Sequence, residues 1–491
     1  MSVYTRRPEW SVSIRRPDYS QATLSYKTVD EWTVSGNKNS KIEFVSSKEK
    51  ENGINIYTDL TGYEYENNLK NPAGAFSLTI TPRQDSNGLT WKDKVQSRDI
   101  VFISEFGKVR YIGIVKGTGY SMSMNNGKPQ RQVTVTGASI GGMLQSFNLP
   151  MNTYLWVGSG VDSETINDKF AHTLASTAAK DQSLSNMFDL INEGFFSVSF
   201  GSTASNVGFK TIMDSFFKLN ADNIIAFYPM VLRPFQENAN TLWSIYRQVL
   251  PEPVYEIFGK YVDGKYNLIC RETPFDYDDW TNLPITELNP LFLMDQNIND
   301  TDGEVFTHYF SGMPNSAYSG LEVYALNELD EVSIFDAEKL PIYGYRQLEA
   351  NFPFYDLDKG DKAASKEFLK NNSVRLYSWY VNNVEFQSGT ITMMTFPEKE
   401  GNEYIDVGER IQYLKGSNYS IEFYVEGIKR KMAYPGIMSS TYSVTRGYEY
   451  GQKQITIEGK TITTPQIKKI SQLGRKLVQS EQDIFQEAGK L

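Results

Sequence analysis

The sequence predicts a mainly β, multi-domain protein: two antiparallel β-domains with a mixed α/β domain between them as an α+β insert. Three observations predict it. The chain has 491 residues, more than one hydrophobic core usually organises. It carries 31 Tyr and 28 Phe among many Thr, Val and Ile, a mixture that suits pleated, half-buried surfaces. Alternating segments bounded by turn residues occur early and again late in the chain. Hydrophobic residues at 40% and charged residues at 22% give a globular balance, which excludes wholesale disorder.

Residues 1–40 read as an extended N-terminal arm, with Arg6, Arg7, Arg15 and Arg16 in two pairs, each followed by proline. Residues 41–150 form the first β-domain. In "AGAFSLTITPRQ", Phe76, Leu78 and Ile80 alternate with Ser77, Thr79 and Thr81 as in a half-buried strand. Ile100–Ser104 and Val109–Lys116 follow as strands joined at Gly107, "NNGKPQ" is a polar loop, and "RQVTVTGAS" closes an antiparallel meander. "MLQSF" makes a short helix at the exit.

Residues 151–330 are the α+β insert. Met187, Leu190 and Ile191, then Ile212, Phe216 and Leu219, have helical spacing. "TLWSIYRQVLPEP" is a third helix stopped by Pro251, and "VYEIFGKYVDGKYNLICRE" a hairpin turning at Gly264. "EVFTHYFSGM" is a strand with Val305, Thr307 and Tyr309 on one face. Residues 331–372 read as an irregular linker, 373–462 as the second β-domain and 463–491 as a C-terminal amphipathic helix.

The second β-domain repeats the first. Asp99 to Gly137 and Glu409 to Gly447 have the same separation, Val115 and Val425 fall at the same offset within it, and Phe76 and Phe386 open the preceding strands. Spacing held without identity points to two versions of one fold in a single chain.

Catalytic and metal chemistry is poorly supplied. Gly137-Ala-Ser139-Ile-Gly141 matches the nucleophile elbow of serine hydrolases. The only histidines are His172 and His308, neither beside an orienting acid, and the flanks lack alternating strands and helices. Ser139 therefore reads as a cap or turn residue. Asp276, Asp278 and Asp279 read as a solvated acidic turn, and no Cys/His cluster suits zinc. No cofactor and no metal are expected. The single Cys270 permits no internal disulfide, no apolar run reaches bilayer length, and the N-terminus shows no signal-peptide core. Synthesis in a bacterial cytoplasm is the expectation. The net charge of −10 argues against a phosphate-gripping surface.

"WSIYRQVLPEPVYEIFGKYVDGKYNLICRETPFD", followed by "NDTDGEVFTHYF", resembles the baseplate hub proteins of contractile phage tails and related injection systems, including the N-terminal region of type VI spike proteins. The two β-domains fit the same plan, and the local motifs are Arg271–Phe275 and Tyr442–Gly447. The resemblance implies tail-tube-like antiparallel β-barrel domains and a homotrimer whose six copies match a hexameric tail tube to a three-fold spike. Its implied partners are the tail tube protein, the spike protein and other baseplate subunits. The resemblance further implies a channel through which DNA or effector cargo passes without specific binding, and an acidic lumen would repel phosphates. No bond-making step is implied. The implied location is a virion tail or injection-system baseplate.

In the tail, Ile467, Ile470, Leu473, Leu477, Ile484 and Phe485 lie near one helical face, a candidate docking helix for a partner. A receptor- or glycan-binding tail protein, using tyrosines to stack on sugars, is the rival class. A serine hydrolase using Ser139 is the other.

Overall fold

The computed structural model describes residues 9–18, 25–27, 41–45, 56–57, 59–84, 88–125, 128–146, 209–218, 241–300, 302–312, 333–352, 362–383, 386–394, 404–416, 419–434, 437–451, 454–457 and 460–463. Among them the fold is mainly β. The strands are β1 (Trp10–Asp18), β2 (Ser25–Lys27), β3 (Lys41–Val45), β4 (Ile56–Tyr57), β5 (Leu60–Asn68), β6 (Ala75–Ile80), β7 (Ile100–Glu105), β8 (Lys108–Asn125) and β9 (Lys128–Ser139). After them come β10 (Phe217–Lys218), β11 (Tyr255–Val262), β12 (Lys265–Glu272), β13 (Ile285–Leu288), β14 (Leu293–Asp300), β15 (His308–Gly312), β16 (Ser333–Phe335) and β17 (Gln347–Asn351). The last long strands are β18 (Gln387–Met394), β19 (Arg410–Gly416), β20 (Tyr419–Ala433) and β21 (Ile437–Gly451).

One sheet of fifteen strands runs β14-β18-β21-β20-β5-β6-β9-β8-β7-β1-β3-β4, with β13 beside β19 and β2 beside β1. The first module is the path β5-β6-β9-β8-β7, antiparallel at every step. The second is β14-β18-β21-β20-β19, again antiparallel at every step. Neither module closes on itself as a barrel among the described residues; both belong to one open sheet. The alternation in β6 has the predicted result, with Phe76, Leu78 and Ile80 buried.

The repeat extends to single hydrogen bonds. Val115 N–H donates to the Asp99 carbonyl at 2.9 Å, and Val425 N–H to that of Glu409 at 3.0 Å. Arg98 and Gly408 donate to the carbonyls of Val115 and Val425, both at 2.8 Å, and both are left-handed, at φ 76° and 75°. A β-bulge follows each valine, before Gly117 and before Gly427. The edge strands share one too, between Leu60 and Gly62 in β5 and between Leu293 and Asp295 in β14. Two landmarks do not correspond. Val115 pairs with Gly137, whereas Val425 pairs with Val444, because the hairpin arm beyond the valine is shorter in β20–β21, where Gly427 faces Ser443, than in β8–β9, where Gly117 faces Thr136. The same register places Gly389, not Phe386, opposite Val444 as Phe76 is opposite Gly137.

Two other expectations differ from the structure. Residues 10–18, placed in a free arm, form β1 between β7 and β3. Arg15 stacks on the Phe102 ring at 4.5 Å and Arg16 pairs with Asp99 at 2.9 Å, so these cations are taken up by the sheet. The stretch 331–372, read as irregular, holds β16, β17 and the start of helix Lys362–Tyr380. That helix buries Leu369, Leu376 and Trp379, a seven-then-three spacing that falls on one face.

The insert places helix Leu242–Val249, capped by Thr241 and Ser244, against the β11–β12 hairpin, which turns at Asp263 and Gly264 with both φ positive. Among the described residues, the buried side chains form two clusters. One joins the first module to helix Leu242–Val249 and the hairpin, and the other lies under the second module around Phe258, Trp280 and Phe423.

Candidate assembly interface

The two modules meet where β20 adds antiparallel to β5, with Ile428 opposite Asn67, Arg430 opposite Tyr65 and Met432 opposite Tyr63. Tyr434 N–H continues the ladder to the Thr61 carbonyl at 2.8 Å. One face of this joint is buried: Tyr63, Tyr65, Ile428, Arg430 and Met432 are each at most 5% exposed. On the opposite face Lys429 pairs with Glu64 at 2.7 Å.

Glu105 of β7 closes the buried face. The hydroxyls of Tyr63 and Tyr65 donate to its two oxygens at 2.8 and 3.2 Å, and Arg430 lies 3.5 Å away. The Arg430 guanidinium also stacks 3.3 Å above the Tyr404 ring and donates to the Ile405 carbonyl. Burial pushes the Glu105 carboxyl above its usual range, and Arg430 opposes the shift.

Among the described residues the corresponding edges have no such neighbour. The distal half of β8 is bonded on one side by β9 and, among the described residues, by no strand on the other. Among the described residues β14 ends the sheet, paired with β18 alone. Met122 is 61% exposed, where its counterpart Met432 in the repeat is 2% exposed. Tyr120 and Met124 are exposed beside it, as are Leu291 and Met294 at β14. None of these residues was singled out from the sequence, where the predicted strand ends at Lys116 and the predicted loop is "NNGKPQ".

The motifs Arg271–Phe275 and Tyr442–Gly447 come together. Arg446, itself left-handed at φ 54°, places its guanidinium 3.9 Å over the Phe275 ring. Arg271 pairs with Glu256 at 2.5 Å and donates to the Gly408 carbonyl and the Tyr424 hydroxyl, while that hydroxyl donates to Glu256. These contacts tie the insert's hairpin to the second module. Burial lowers the Arg446 pKa to about 10.

Ser139 is the N-cap of the turn Ile140–Gly142: its Oγ accepts from Gly141 N–H at 3.0 Å and lies 2.6 Å from the Tyr261 hydroxyl. His308 Nδ1 is 2.8 Å from the Tyr345 hydroxyl, and His172 lies outside the described residues. Asp276 accepts from the Trp379 indole at 2.9 Å. Among the described residues no group of three His, Cys, Asp or Glu is gathered for a metal, and no helix is long and apolar enough to cross a membrane. Tyr63, Tyr111, Tyr246, Tyr266, Tyr309 and Tyr424 are fully or almost fully buried, so much of the tyrosine richness builds the core. Ile467, Ile470, Leu473, Leu477, Ile484 and Phe485 lie outside the described residues.

Fold and joint together define a tandem β-module protein whose two modules join edge to edge within the chain. No protein-family model matches the chain, and no curated protein matches it. Among solved structures it is similar to a tail protein from Neisseria meningitidis MC58, with 11% identity over 79% of this chain and 92% of that one and a TM-score of 0.46. It is similar to the 43 kDa tail protein of prophage MuSo2 from Shewanella oneidensis, with 12% identity over 79% and 94% and a TM-score of 0.45. It is also similar to an E. coli protein described as a component of the type VI secretion system, with 8% identity over 84% and 77% and a TM-score of 0.36.

Proposed function

We propose that the chain is a structural subunit of a contractile tail or injection machine: a homotrimeric baseplate hub that adapts a hexameric tail tube to a three-fold spike around a central channel. The observation that carries this reading is the β5·β20 joint. It links two copies of one module by unlike edges. An unlike-edge contact repeats head to tail, and its rotation either closes into a ring or generates an open filament. With two modules per chain, three chains supply six positions, matching a six-fold partner through the modules and a three-fold partner through the whole chains. Closure also removes free strand edges, which otherwise template aggregation. The chain's work is mechanical, and its net charge of −10 suits a passage that does not retain phosphates.

Negative-stain imaging of the purified full chain tests the reading. Rings with six similar lobes around an opening are expected. Isolated asymmetric particles, or open filaments of repeating chains, would contradict it.

A further inference from the structure

We infer that the distal half of β8 in one chain adds antiparallel, in a second copy, to the edge of β14 that no described strand covers, with Tyr120 opposite Ile298 and Met122 opposite Gln296. This names the joint on which the ring reading rests, and the register comes from the chain itself. Counting from the shared bulges, Gly427 corresponds to Gly117 and Gly62 to Asp295. Arg430 and Met432 then correspond to Tyr120 and Met122, and Tyr65 and Tyr63 to Ile298 and Gln296. The internal pairs Arg430–Tyr65 and Met432–Tyr63 translate directly into the proposed ones. The Tyr434–Thr61 hydrogen bond translates into Met124 against Met294.

The side chains fit this register. One face brings together Tyr120, Met122 and Met124 with Ile298 and Met294, and of these Tyr120, Met122, Met124 and Met294 are conspicuously exposed. The other face sets Gly119, Ser121 and Ser123 opposite Asn299, Asn297 and Asp295, with no like charges opposed. The internal joint instead uses lysines against glutamates on that face. The two joints therefore share a backbone plan while differing in chemistry, so one chain's edges favour their proper partners over the internal pair.

Oxidative cross-linking tests the register. Adjacent antiparallel pairs alternate between hydrogen-bonded and closer non-hydrogen-bonded positions, so S121C/N297C and M122C/Q296C between them sample both geometries. The native Cys270 is 1% exposed and stays out of the reaction. At least one double variant should run as a covalent three-chain species on a denaturing gel, each single variant as one chain, and the register-shifted S121C/D295C should cross-link far more slowly. On the unaltered trimer, amide hydrogen exchange at 119–124 and 294–299 should be slow. A trimer by native mass with fast exchange at either segment, or with the shifted pair cross-linking best, overturns this joint and leaves the ring reading standing. A chain that stays single at every concentration overturns both.

Discussion

Arg430 of β20 lies 3.5 Å from Glu105 of β7, and both side chains are buried, at 6% and 0% exposure. They join the second module to the first through a carboxylate that two tyrosines also hold. Removing one member of a buried ion pair leaves the other uncompensated and typically costs about 3–5 kcal/mol. Arg430→Met should therefore lower the urea midpoint markedly, and the double change with Glu105→Gln should recover most of the loss. A single variant as stable as the parent would show that the pair does not hold the modules together.

Arg98 and Gly408 occupy the same left-handed position in the two modules, which gives a paired prediction. An L-residue pays roughly 1–2 kcal/mol in this region. Arg98 is exposed, so Arg98→Gly should stabilise by up to about 1 kcal/mol. Gly408→Ala should destabilise by more than that, because a Cβ there would sit 2.7 Å from Phe258 and 2.8 Å from Arg271. Thermal melts of both variants check the signs; equal shifts in one direction would contradict the equivalence.

Burial pushes Asp406 up to about 6, with Lys260 opposing the shift and Glu409 adding to it. Because the folded value is raised, the stabilising contribution of the protonated carboxyl is complete below its ordinary value of 3.8. It is lost as pH rises through about 6. Asp406→Asn should thus gain on the parent between pH 4 and 7.5, by about 1–2 kcal/mol. Urea midpoints at the two pH values measure the difference, and a gap independent of pH would refute the assignment.

Ser139→Ala removes a cap whose loss commonly costs about 1 kcal/mol. Tyr261 keeps the Ile112 carbonyl as acceptor at 3.1 Å, so the fold should survive. A lowered melting temperature with unchanged assembly mass is expected. An unaltered melting temperature would show that the cap carries no stability.

The parts of the fold legible in the sequence are those set by local pattern. Alternation marked β6, a turn glycine marked the β11–β12 hairpin, and the Asp99–Val115 spacing returned at Glu409–Val425 because a hairpin fixes its own register. Gly447 misled because the β20–β21 hairpin is shorter than β8–β9, which puts Val444 where Gly137 stands, a difference that matching end-to-end spacing conceals. β1 was missed because Arg and Pro on a strand resemble a solvated arm until Phe102 and Asp99 are seen to receive the cations. The joint was invisible for a different reason. Tyr63 and Met432 meet across most of the chain, and Tyr120, Met122 and Met124 lie past the predicted strand end at Lys116 and draw no attention unless the buried state of their counterparts is known.

The central claim is that each chain contributes two of six equivalent positions in a closed ring. Native mass spectrometry of the purified full-length protein tests it most directly. The account predicts a discrete species of three chain masses that persists on dilution below micromolar concentration. A lone chain, or a ladder of open multimers without a preferred three-chain species, would contradict it.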